Sequence, residues 1–114
     1  MKIEREFVGE VAILTLHGKI LIGEGDDHLR DTVVDTLKFE AVRMIVLDLG
    51  DVPYVDSAGL GEIFRSHTMA RRQGRRLVLC NLIKKIKDLL AFTKLTTLLE
   101  ETFDTREEAL ASFV

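Results

Sequence analysis

The feature that most constrains the fold is the run Met44-Ile-Val-Leu-Asp-Leu49, followed at once by Asp51-Val-Pro-Tyr-Val-Asp-Ser-Ala-Gly-Leu-Gly61. A short, almost wholly apolar run bounded by turn residues reads as a strand buried on both faces, the kind found in helix-covered parallel sheets. Pro53 removes a backbone donor from the connection, consistent with the strand having ended. From Ser57 the pattern turns helical, with Leu60, Ile63, Phe64 and His67 on one stripe. That helix is expected to stop at Gly74, with Arg71 and Arg72 in the last turn, where the dipole favours cations. Ser57 is therefore placed just past the carboxyl end of a central strand, at the amino end of a helix. Ligands and partners usually dock at that edge of an open α/β sheet. Ser57, with Gly59 and Gly61 keeping its surroundings bare, is the candidate functional residue.

The rest of the chain arranges itself around this strand. Residues 2–7 alternate polar and apolar, Val11 to Leu16 is densely apolar, and Val8-Gly9-Glu10 between them predicts a tight turn, hence an opening β-hairpin. Lys19-Ile-Leu-Ile-Gly-Glu-Gly-Asp-Asp27 reads as a loop, with Asp26 or Asp27 able to cap the next helix. Leu29, Val33, Val34 and Leu37 recur at helical spacing, with Arg30, Asp31 and Asp35 opposite them. The central strand covers residues 43–49. After the Ser57 helix come a strand from Arg76 to Cys80 and a helix lined by Leu82, Ile83, Ile86, Leu89 and Leu90. Leu98 to Phe103 reads as a short strand, ambiguous in its period. Thr105-Arg-Glu-Glu108 has the spacing of a capping box and opens a last helix with Ala109, Leu110 and Phe113 inward. The order β-β-α-β-α-β-α-β-α implies an α/β fold: a mixed sheet with right-handed crossovers and packed helices. At 114 residues the expectation is one domain, 1–114, with a core that needs no staples.

Charge and composition exclude several classes. A formal net charge of −3 gives no global pull toward nucleic acid or an anionic membrane. The cluster Arg71-Arg-Gln-Gly-Arg-Arg76 has no interleaved aromatics and reads as a solvated helix end rather than a nucleic-acid patch. Lys84, Lys85 and Lys87 offer a basic face to an acidic partner. Cys80, the single cysteine, lies in an apolar run and reads as a small buried hydrophobe. No signal-peptide pattern and no membrane-length apolar run are visible, so a cytoplasmic protein without membrane insertion is expected.

Enzymatic signatures are missing from the residues. There is no phosphate-binding loop of the G-x-x-x-x-G-K-[ST] kind, and neither Gly23-Glu-Gly25 nor Gly59-Leu-Gly61 completes a dinucleotide fingerprint. His17, His28 and His67 lack metal-ligand spacing, so neither cofactor nor metal is expected. Val55-Asp-Ser-Ala-Gly59 lacks the first glycine of a hydrolase nucleophile elbow. Asp48 as a response-regulator phosphoacceptor would need an acidic pair after the first strand, and Phe7-Val-Gly9 supplies none. Two readings of Asp56-Ser57 remain. Both residues are strong helix N-caps, which residue chemistry alone favours. Against that, Gly59 and Gly61 cost about 1 kcal/mol each within a helix, a burden better suited to a surface that another protein approaches.

The run Val46-Leu-Asp-Leu-Gly-Asp-Val-Pro-Tyr-Val-Asp-Ser-Ala-Gly-Leu-Gly61 resembles the signature of STAS domains (sulfate transporter and anti-sigma factor antagonist). The resemblance extends to Leu16-His-Gly18 and Thr105-Arg-Glu-Glu-Ala-Leu110, and is greatest to free-standing bacterial anti-sigma factor antagonists. It implies that Ser57 is phosphorylated by a partner that is both serine kinase and anti-sigma factor. The unphosphorylated chain would bind that partner and free the sigma factor; phosphorylation would break the complex, and a phosphatase would restore it. The implied partner surface is Asp56, Ser57, Ala58, Gly59, Leu60 and Gly61, with Gly23, Glu24 and Asp26 from the preceding loop. Asp26 is the candidate for an aspartate that relatives carry nearer the second strand, and Ala58 replaces a second hydroxyl residue. Free amides at the helix start are expected to tolerate the phosphate. The competing reading is a STAS scaffold in a signalling or membrane transport assembly, without phosphorylation. The sigma factor, the input signal and the oligomeric state are left open by the sequence.

Overall fold

The computed structural model describes residues 1–113. β1 (Lys2–Val8) and β2 (Val11–His17) pair antiparallel across Gly9-Glu10, where Gly9 takes φ +59°. Then follow α1 (Gly25–Leu37), β3 (Met44–Asp51), α2 (Ser57–Arg72), β4 (Arg76–Cys80), α3 (Lys84–Phe92), α4 (Thr96–Glu100), β5 (Thr102–Phe103) and α5 (Arg106–Ala111). The strands lie in the order β1-β2-β3-β4-β5 and run parallel from β2 onward. Each crossover steps the same way and leaves its helices on the same face, as crossovers of one hand require.

β3 is central because both of its faces are covered. Alternate residues of a strand point to opposite sides. Ile45, Leu47 and Leu49 meet Leu29 and Val33 of α1, Ile63 of α2 and Leu90 of α3 in the main core. Met44 and Val46 point the other way, joining Val11, Ile13, Val78 and Cys80 beneath Ala109 of α5. Cys80 is fully buried there, and burial, reinforced by the nearby Asp48 charge, pushes its thiol up to about 12. It behaves as a packed hydrophobe, since a thiol without thiolate character is inert.

Four local expectations change. Within Leu98 to Phe103 the first half belongs to helix α4, and only Thr102–Phe103 forms a strand; Leu98 reaches the main core from the helix. Short apolar runs do not distinguish helix from strand by period. Asp26 and Asp27 lie inside the first turn of α1 rather than capping it, and Glu24 holds the cap position without a side-chain bond. Val34 and Phe64 turn outward from their helical stripes. Finally, the arginine cluster is only half solvated. Gly74, at φ +73°, closes α2 with the Gly74 and Arg75 N–H groups donating to the Arg71 and Ala70 carbonyls at 3.0 and 2.9 Å. The chain then folds inward, so buried Arg75 donates to the carbonyls of Leu37 and Phe39, and Arg76 binds Glu101 at 2.7 Å. Arg71 and Arg72 remain exposed.

α5 is held by a charge on β3. Arg106 Nη2 donates to Asp48 Oδ2 at 2.8 Å, while Gly50 N and Asn81 Nδ2 donate to Asp48 Oδ1 at 3.0 and 3.2 Å. These bonds engage both oxygens of the carboxylate in holding the fold. Burial alone would raise its pKa, but Arg106, then Gly50 and Asn81, outweigh it and hold the carboxyl below its ordinary value. A carboxylate lowered in the folded state stabilises above its unfolded pKa, near 4, and that stabilisation fades as pH falls through the folded value. Asp48→Asn is expected to cost about 2 kcal/mol at pH 7, a buried-pair loss discounted for solvent around Arg106. Denaturant titrations of both proteins should show this gap narrowing below about pH 4.

Candidate functional site

The site is built where the β3–α2 connection meets the loop after β2. Ile20 N donates to the Tyr54 carbonyl at 3.1 Å, and Asp56 N to the Ile20 carbonyl at 3.2 Å, around a parallel bridge between Ile20 and Val55. Asp56 is the extended N-cap of α2: its Oδ1 accepts from Gly59 N at 2.7 Å and its Oδ2 from Ile22 N at 2.9 Å. One carboxylate thus starts the helix and ties the loop to it. Gly59 N–H foremost, then Ile22 and Ala58 N–H, holds the Asp56 carboxyl below the usual range, so it carries full charge near neutrality.

This geometry separates the two roles that the sequence leaves joined. Asp56 does the capping. Ser57 is the first helical residue, exposed, and its hydroxyl has no protein hydrogen-bond partner among the described residues. The free-amide expectation is corrected in part: the Gly59 N–H is turned onto Asp56 and is not left open for a phosphate on Ser57.

The two glycines also part company. A Cβ on buried Gly59 would overlap the Ile20 carbonyl oxygen and lie 2.8 Å from Ile20 Cγ2, so this glycine serves the close approach of loop and helix. A Cβ on Gly61 would meet nothing within 4 Å. Only Gly61, exposed one turn beyond Ser57, keeps a bareness that the chain itself does not require. The burden assigned to both glycines therefore applies to Gly61 alone.

Of the other expected surface residues, Gly23 and Glu24 are exposed and Ala58 is half-buried, whereas Leu60 and Asp26 are buried. Asp26 Oδ1 accepts from Asp27 N at 2.8 Å, and among the described residues it makes no hydrogen bond to 56–61. The loop reaches the site instead through the backbone N–H of Ile22, a residue that is 74% exposed. Beside Ser57 a cleft of about 330 Å³ opens between α2 and α3, lined by Tyr54, Leu60, Lys85, Ile86 and Leu89 among others. Among the described residues, no group of three or more His, Cys, Asp or Glu side chains is placed to hold a metal, and no helix is long and apolar enough to cross a membrane.

The STAS domain family model matches residues 2–109. The chain belongs to the STAS domain family. Among solved STAS structures it is similar to the Thermotoga maritima protein TM1081, at 26% identity and TM-score 0.85, covering 96% of this chain and 92% of that one. The Bacillus protein SpoIIAA, an anti-sigma factor antagonist solved in unphosphorylated form, gives 18% identity and TM-score 0.72 over 96% of this chain and 94% of that one. Its phosphorylated form gives 20% and 0.74, covering 96% and 97%. The anion transporter Slc26a9 of mouse contains the same fold, with 15% identity and TM-score 0.79 over 93% of this chain but 18% of the transporter. The mixed five-stranded STAS fold is thus common to these proteins.

Sequence reasoning missed three contributors to this STAS site. Lys85 reads as one of three surface lysines, yet it lies across the cleft with its Nζ 5.4 Å from the Tyr54 ring centroid. Ile22 is hidden in a loop whose path no local pattern predicts. Glu62, outwardly an ordinary helix glutamate, is buried between α1 and α2, where Arg30 Nε donates to it at 3.0 Å and Arg65 Nη1 at 3.1 Å. That bridge sets α2 against α1 and so fixes the helix that presents Ser57.

Proposed function

We propose that this STAS chain is an anti-sigma factor antagonist that switches partners through Ser57. Unphosphorylated, it binds an anti-sigma factor that is also a serine kinase; phosphorylated on Ser57, it is released, and a phosphatase returns it to the binding form. It works by protein–protein contact in the bacterial cytoplasm rather than by catalysis, with Asp56, Ser57, Ala58 and Gly61 at the contact and Gly23 and Glu24 beside it. Gly59, Leu60 and Asp26 act from beneath, by shaping that surface.

The observation that carries the proposal is the exposed Ser57 hydroxyl, unbonded within the described chain while Asp56 supplies the cap. A serine needed only to start the helix would be the group accepting the Gly59 N–H. The similarity to SpoIIAA, solved with and without phosphate, supports the same reading.

The test is incubation with magnesium-ATP and each candidate anti-sigma kinase from the source genome, read by intact mass. One added phosphoryl group is expected, and none on Ser57→Ala. A folded chain that no such kinase modifies would instead favour the scaffold role.

A further inference from the structure

We propose that Lys85 is the intramolecular counter-charge for the phosphate on Ser57, closing the cleft between α2 and α3 in the phosphorylated state. This rests on the reading of Ser57 as a phosphorylation site and adds where the phosphate goes. A phosphoryl group brings about −1.5 to −2 charges and three strong acceptor oxygens. The helix start satisfies them only in part, because the Gly59 N–H already serves the Asp56 carboxylate. Asp56 itself is ionised and adjacent, so toward that side a phosphate meets a like charge.

The cleft beside Ser57 also offers a cation. Ser57, Asp56 and Lys85 line it together, and Leu60, Ile86 and Leu89 supply apolar wall between them. Along α3, Lys84 is bound to Asp88 at 2.7 Å and Lys87 to Asp104 at 3.2 Å. Among the described residues Lys85 has no carboxylate partner, and its ammonium rests over the Tyr54 ring. A contact of that kind at an exposed site is weak. An ammonium–phosphate hydrogen bond is charge-assisted and stronger, and the four-carbon stem lets the ammonium leave the ring for it. Phosphorylation would therefore draw Lys85 from Tyr54 across the cleft mouth. The surface that the unphosphorylated chain offers a partner would change there, not only at Ser57.

Phosphoserine installed at position 57 during translation makes the test independent of any kinase. The readout is the midpoint of the second phosphate ionisation, followed by 31P NMR against pH. Pairing with Lys85 favours the dianion, so the wild-type midpoint should lie about half a unit below that of Lys85→Met. Lys85→Arg should retain most of the lowering. Lys84→Met removes the same charge from the neighbouring position and should leave the midpoint unchanged. Equal midpoints in wild type and Lys85→Met, or an equal shift in Lys84→Met, would overturn the pairing. Failure of every kinase to modify Ser57 would be a separate result, against the switch itself.

Discussion

Gly59→Ala is expected to destabilise the chain by about 3 kcal/mol, and Gly61→Ala, two residues along the same helix, to stabilise it by about 0.5–1 kcal/mol. In an unobstructed helix the first change would be favourable too, since alanine is the better helix former. Both glycines lie within α2. The difference is what lies opposite. The new methyl at Gly59 would run into the Ile20 backbone, which is fixed by its bonds to Tyr54 and Asp56. Backbone cannot rotate away as a side chain does, so the loop must leave the helix and expose buried Ile20. At Gly61 the methyl has room. Urea titrations should therefore move the two midpoints in opposite directions. If a partner packs against the bare helix at Gly61, the same stabilised variant should bind it more weakly.

Much of this fold was legible because its strands and helices have clean periods. The buried run at β3 identified the centre of the sheet, and Thr105 caps α5 as its spacing suggested, with its Oγ1 accepting from Glu108 N at 3.1 Å. Gly74 ends α2 where its position suggested. The misread pieces share a physical cause: each is decided by what packs against it from far along the chain. Arg75 is drawn inward by carbonyls at and just beyond the end of α1, Leu98 enters the core from a helix, and Gly59 answers to Ile20. The same holds at the site. Asp-Ser before a helix announces a cap, but which of the two residues caps depended on whether the loop after β2 would supply an N–H for the second Asp56 oxygen. Ile22 supplies it.

Under the proposed switch, phosphorylation of Ser57 is expected to weaken binding to an anti-sigma factor about 100-fold or more while leaving the chain folded. The fold should survive because Ser57 is exposed and makes no bond on which α2 depends; the cap is Asp56's. The melting temperature should accordingly change little. The interface is a different environment. A partner covering Ser57 must desolvate a phosphate that lies beside the ionised Asp56, and a factor of 100 in affinity requires only about 2.7 kcal/mol. Desolvation and repulsion of that size are ordinary for a multiply charged group covered by a partner beside a like charge, even where one lysine offsets part of it.

Calorimetric titration of the anti-sigma partner, with ATP absent so that no transfer occurs, into the Ser57 and phosphoserine-57 forms tests this most directly. The switch predicts tight binding of the first and about 100-fold weaker binding, or none, of the second. Equal affinities for the two forms would contradict it.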